Sequence, residues 1–168
     1  MADKYNSMSE LEAETIENKD WEVVTRDLDS QVIITAIHGG GIEPGTTEIA
    51  DLTAQKGEYD YFSFKGTKSK GNEDLHVTSR NYDQSVLMEM IKNKTYAVAI
   101  HGCEGDENII NCCKTGAGVQ LELTPGLRKM CFDNQKYNKK SREDQHNWSQ
   151  FMDEFTTTIV KSIQNIQS

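Results

Sequence analysis

What this chain lacks narrows its class before any motif is read. No stretch of its 168 residues approaches the roughly 18–20 consecutive apolar residues of a membrane span. The opening segment, MADKYNSMSELEAETIENKD, is polar and acidic and has no apolar signal run. The expectation is a protein made in the cytoplasm, with no membrane partner, that needs some other release if it acts outside a cell. CxxC pairs are absent, so Cys103, Cys112, Cys113 and Cys131 are expected to be reduced thiols. Cys103, two residues after His101, is either a thiol ligand or nucleophile, or a small side chain behind a site.

Positive charge is also scarce. Eighteen basic against 27 acidic residues leave a net charge of −9, which argues against nucleic acid as a partner, because basic surface supplies most of that affinity. The basic residues are unevenly spread: Arg128, Lys129, Lys136, Lys139, Lys140 and Arg142 are interrupted by one acid, Asp133, and Lys65, Lys68 and Lys70 form a smaller group. These are either solvated loops or a local landing surface for an acidic substrate. With no low-complexity linker and this length, one domain spanning 1–168 is expected, and as a monomer.

The elements that are present alternate. Ser9 and Glu12 fit a capping box at the start of a short helix. WEVVT (21–25), QVIITAI (31–37), YDYFSFK (59–65), TYAVAI (95–100) and VQLEL (119–123) read as strands. QVIITAI has the unbroken β-branched character of a strand buried on both faces. LHVTS (75–79) reads as another short strand. Helices are expected over 46–55, over 83–93 with Val86, Leu87, Met90 and Ile91 inward, and over 141–166. The last carries an apolar stripe from Trp148 to Ile166. Such alternation predicts an α/β domain of three layers with helices on both faces of a mixed, largely parallel sheet.

Two of these strands end alike: ITAIHGGGIEPG (34–45) and AIHG (99–102). Sites in open α/β sheets form at the carboxyl ends of strands, so His38 and His101 can converge there. The glycines permit positive φ and close approach, letting the chain bring Glu43 back toward His38. Two imidazoles and a carboxylate are a donor set typical of catalytic zinc; manganese and nickel accept the same donors, and availability and geometry favour one zinc ion. Glu122, a carboxylate inside an apolar strand, is a candidate general base, or else it faces solvent with Gln120 on an edge strand. Arg128 is positioned in sequence to clamp a substrate carboxylate, or is an ordinary surface arginine. His76 is a further polar site group or a hydrogen-bonded strand histidine, and His146 reads as surface.

The blocks HGGGIEPGTTEIA, LHVTSRNYD, AIHGCEGDE and NIINCCKTGAGVQLELTPGLR together resemble the poly-γ-glutamate hydrolase family of Bacillus phages and related bacterial proteins. That family is similar to a compact zinc carboxypeptidase. The resemblance implies that His38, Glu43 and His101 hold zinc, that Glu122 is the general base, and that Arg128, His76 and Arg80 contact the substrate. It implies hydrolysis of γ-glutamyl amide bonds in poly-γ-glutamate, with an endo-acting enzyme that removes a host capsule during phage infection after release by lysis. The ligand spacing is HxxxxE, where classical carboxypeptidases have HxxE. Family members carry a further segment where Glu107 here meets Asn108, so the connection from His101 to Glu122 is short for a crossover, which takes about 10–12 residues. Two other readings remain open: a carboxypeptidase-like amidohydrolase acting on a small acidic substrate, and a non-enzymatic binder of polyanions or nucleic acid.

Overall fold

Burial orders the strands. In the computed structural model, which describes residues 3–103, the backbone of 110–112, and residues 118–133 and 136–167, strand β2 (Val32–Gly40) is buried at all nine positions. It lies in the middle of a six-stranded sheet with β1 (Trp21–Arg26), β3 (Asp60–Gly66), β4 (Tyr96–Gly102), β5 (Ile110–Cys112) and β6 (Gly118–Leu123), in the order β1-β3-β2-β4-β6-β5. The four inner strands are mutually parallel, and the two edges are antiparallel to their neighbours. The sheet is therefore mixed and largely parallel, as expected. The thiols of Cys112 and Cys113 and the junction between Glu107 and Asn108 lie outside the described residues.

Strand alternation sends two sets of side chains to opposite faces. Val32, Ile34, Ala36, Val98 and Ile100 meet α2 (Thr46–Gly57) and α6 (Gln150–Gln167). Ile33, Ile37, Phe62 and Phe64 meet α1 (Met8–Glu14) and α3 (Ser85–Ile91). Three layers follow, each fully buried aliphatic or aromatic side chain contributing about 1.5–3 kcal/mol relative to exposure.

Local competition for hydrogen bonds redraws several expected elements. Ser7, not Ser9, caps α1 by accepting the Glu10 N–H, while Ser9 turns to Asp83. In α3 Leu87 is buried but Val86 is exposed. Residues 75–79 form no strand. His76–Thr78 run extended between two 3₁₀ turns, Asn72–Leu75 and Ser79–Asn81. Their polar groups go elsewhere: the Thr78 N–H to Asp3 and the Val77 carbonyl to His38. The final helix is also shorter than its stripe suggests. After α4 (Pro125–Met130), a short α5 (Lys139–Arg142) and a 3₁₀ turn at Gln145–Asn147 precede α6. Asp144 accepts the His146 N–H, Trp148 Nε1 donates to the Arg142 carbonyl at 2.7 Å, and Ser149 Oγ accepts the Met152 N–H. Trp148 therefore anchors a link outside the helix, and Ile166 is exposed.

Candidate metal centre

The first histidine owes its direction to a bulge. Between Ala36 and Gly39 the β2–β3 register slips by one residue, so that Ala36 pairs with Ser63 but Gly39 with Lys65. Such an insertion re-aims side chains that strict alternation would send to the other face. Ile37 packs in the α1/α3 layer, and the next residue, His38, reaches Val77 and Tyr82 on that side as well. Beyond it the chain takes a left-handed φ of 66° at Gly40, and the Glu43 N–H closes back onto the His38 carbonyl at 2.8 Å. Sequence patterning expected this return of Glu43 but not the bulge that turns His38 toward it.

β4 is the parallel neighbour of β2, with Thr35 opposite Ala99, so His101 ends its strand beside His38. Their ring centroids lie 5.0 Å apart. Glu43 joins them. Its Oε1 is 3.1 Å from His38 Nδ1; its Oε2 accepts the Gly102 N–H at 2.8 Å and lies 3.8 Å from His101 Nδ1. His76 completes the group, with its ring 4.0 Å from that of His38 and its Nε2 3.9 Å from Glu43 Oε1. His38, Glu43 and His76 can bring donor atoms within 4.8 Å of one another, a spacing compatible with one metal ion.

The hydrogen bonds around the ring nitrogens fit a cation. A backbone carbonyl only accepts, so the contact of His38 Nε2 with the Val77 carbonyl at 2.8 Å assigns the N–H to Nε2. If Nδ1 is unprotonated its lone pair faces a carboxylate oxygen, and either a proton or a metal cation at that position satisfies the contact. Burial pushes the Glu43 carboxyl up, but the His38 hydrogen bond, the neighbouring imidazoles and the Gly102 N–H outweigh it and hold the group below its usual range. Burial, reinforced by His38, brings His101 down to about 4, against the opposing pull of Glu43. His101 is thus neutral at pH 7, as a metal donor must be. Its Nδ1 is the nitrogen turned toward Glu43, while its Nε2 is buried without a hydrogen-bond partner among the described residues.

The remaining site residues divide. Arg128 is not a surface arginine: it is 6% exposed, donating from Nε to the Leu123 carbonyl and from Nη1 to the Pro44 carbonyl at 2.7 Å. With Asp3, Glu43, His76, Gly102 and Cys103 it lines a cleft of about 440 Å³. Glu122 is the register partner of His101 on β6 and shares its sheet face. It is half-buried and receives a hydrogen bond from Gln120, and it does not line that cleft. Arg80 is exposed on its 3₁₀ turn and does not line the cleft. His146 is exposed, as expected. The basic run divides: Lys129, Lys136, Lys139 and Lys140 are exposed, whereas Arg128 and Arg142 are buried. Arg142 is buried against Glu48 and donates to the Gly40 carbonyl, Lys136 donates to Asn147, and Lys139 to the Thr67 carbonyl. Asp3 was invisible to sequence reasoning, since a single acid in a polar leader carries no spacing signal.

Known proteins show likenesses to this chain in both sequence and fold. The family model described as "Poly-gamma-glutamate hydrolase" matches residues 5–107 and 105–157. The "UPF0714 protein YndL" of Bacillus subtilis (strain 168) is 30% identical over 205 residues, covering 97% of this chain and 79% of that protein. A solved structure described as "YNDL-apo (Zinc-free)" superimposes with a TM-score of 0.86 at 28% identity, covering 98% of each chain. One described as "Structure of Bacteriophage poly-gamma-glutamate hydrolase" gives 0.87 at 24% identity over 99% of each chain, a likeness of fold.

Proposed function

The chain belongs to the poly-γ-glutamate hydrolase family, and from that premise we propose that it is a zinc-dependent hydrolase of γ-glutamyl amide bonds in poly-γ-glutamate. The observation that carries the zinc is the meeting of Glu43 with His38 Nδ1, His76 and His101 at the carboxyl ends of two adjacent parallel strands. In this reading His38, Glu43 and His101 hold the ion. Zinc bound there would supply a Lewis acid for the scissile carbonyl and ease the ionisation of water.

The protein's own groups do the rest. Glu122, on the sheet face of His101, takes the proton of the attacking water and returns it to the leaving amine. Arg128 keeps Nη2 for the substrate while two of its other donors stay on backbone carbonyls, and it pairs with an α-carboxylate of the polymer. His76 and Asp3 line the cleft wall beside it. Cleavage within the polymer, and removal of a host capsule after release from the producing cell, complete the proposal. The division of the family match at residues 105–107 supports reading the connection from His101 to Glu122 as a shortened form of the family's.

Dialysis against a chelator tests the central claim. Cleavage of poly-γ-glutamate, followed by polymer length, should be abolished and then restored by one equivalent of zinc. Glu122→Gln should keep bound zinc and lose at least about 10²-fold in turnover. Full cleavage after complete metal removal defeats the proposal.

A further inference from the structure

Asp3 precedes the residues that the family model matches, yet it is tied to the site at three points. Its Oδ1 accepts from His76 Nδ1 at 2.7 Å, and its Oδ2 accepts from both the Thr78 N–H at 2.7 Å and the Thr78 hydroxyl at 2.6 Å. The buried side chains of Tyr5 and Met8 hold the N-terminal segment against the domain. A carboxylate accepts only, so His76 carries its ring proton on Nδ1. Its Nε2 lone pair is then left facing Glu43 Oε1 at 3.9 Å, next to the His38 Nδ1 lone pair that faces the same oxygen.

When both rings are neutral, their two lone pairs converge on one carboxylate oxygen and repel it unless a cation lies among them. The carboxylate–imidazole arrangement at Asp3 and His76 has the form of the outer-shell partner that fixes the tautomer of a metal-bound histidine. We infer that His76 Nε2 is a further donor to the metal held by His38 and Glu43, and that Asp3 is the positioning residue that presents it. This inference rests on the zinc reading above. It makes the N-terminal segment part of the metal centre.

The test uses the full chain, stripped of metal and titrated with Zn²⁺ against a chromophoric chelator, with ¹⁵N shifts of the imidazoles followed in parallel. His76→Ala should weaken zinc binding by at least 10-fold, and Asp3→Ala by about 10- to 100-fold even though His76 is intact. The ¹⁵N resonance of His76 Nε2 should move on adding zinc to the unaltered chain, a response that a purely structural histidine does not give. If His38→Ala loses zinc while His76→Ala binds it as the unaltered chain does and the His76 resonance stays still, the inference fails and the zinc reading stands. Wild-type affinity in Asp3→Ala, with only the melting temperature of the metal-free chain lowered, removes the role given to Asp3. An unaltered chain that binds no zinc defeats both.

Discussion

Glycine follows histidine twice in this chain, for two different reasons. At Gly39 a β-carbon would fall 2.2 Å from Thr47 Oγ1 and 2.5 Å from Ser63 Oγ, so the glycine lets the start of α2 close onto β2. At Gly102 a β-carbon would lie 2.6 Å from the guanidinium carbon of Arg128. The second glycine thus makes room for an arginine. Gly102→Ala should push Arg128 off the Pro44 and Leu123 carbonyls rather than distort the sheet, because the far end of a side chain yields before backbone does. KM for the polymer should rise about 10-fold, the loss of one charge-assisted pair, with zinc affinity little changed. Steady-state kinetics beside a zinc titration checks this, and an unchanged KM shows that Arg128 does not touch substrate. The residue types at the site were legible because few side chains offer nitrogen or carboxylate donors after a buried strand. The partners that orient them, the Val77 carbonyl and the Asp3 carboxylate, were not, since backbone acceptors and distant acids leave no periodic trace.

Whole strands were easier to read than the joints between them. The runs at 31–37 and 95–100 are apolar on both faces, and only an inner parallel strand needs that. The stretch 75–79 has strand-like residues too, but its polar groups are claimed by His38 and Asp3, so composition misled. The break before α6 has the same cause: Asp144 and Ser149 take N–H groups that a continuous helix would have used internally, while the apolar stripe ran on through Trp148. Asp60 shows such a joint from the stabilising side. Fully buried at the start of β3, it accepts the Leu28 and Ser30 N–H groups at 2.9 and 3.0 Å and pairs with Lys94, pinning the β1–β2 loop. Burial pushes its carboxyl up, but Lys94 and the two N–H groups hold it below the usual 3.8. The unfolded chain therefore binds this proton more readily, and the stabilisation is present above about pH 4 and lost as pH falls through the native value. Asp60→Asn keeps an acceptor for the loop but leaves Lys94 without its counter-charge, which should cost about 1–3 kcal/mol at pH 7. Denaturant unfolding of both proteins across pH should show that gap closing below about pH 4. A gap of constant size would mean that Asp60 acts through packing alone.

For the whole molecule the question is how a chain of net charge −9 meets a polymer that carries a carboxylate on every residue. The sequence offered the basic run from Arg128 to Arg142 as a possible answer. Folding withdraws much of it: Arg142 is buried with Glu48, two of the lysines are tied to neighbouring side-chain or backbone oxygens, and Arg128 sits at the floor of the cleft rather than on the approach. Attraction is therefore short-ranged and repulsion long-ranged. Salt separates the two, because the screening length falls from about 30 Å at 0.01 M to about 8 Å at 0.15 M ionic strength. Between those concentrations kcat/KM for long poly-γ-glutamate should rise several-fold as the approach is relieved, and it should fall again toward 1 M as the pairing at Arg128 is screened. A short γ-glutamyl amide with its other carboxylates blocked should show little of the initial rise. A monotonic loss of kcat/KM from the lowest salt upward would instead place a net positive track on the approach to the cleft, with the exposed Lys129, Lys136, Lys139 and Lys140 as its candidates.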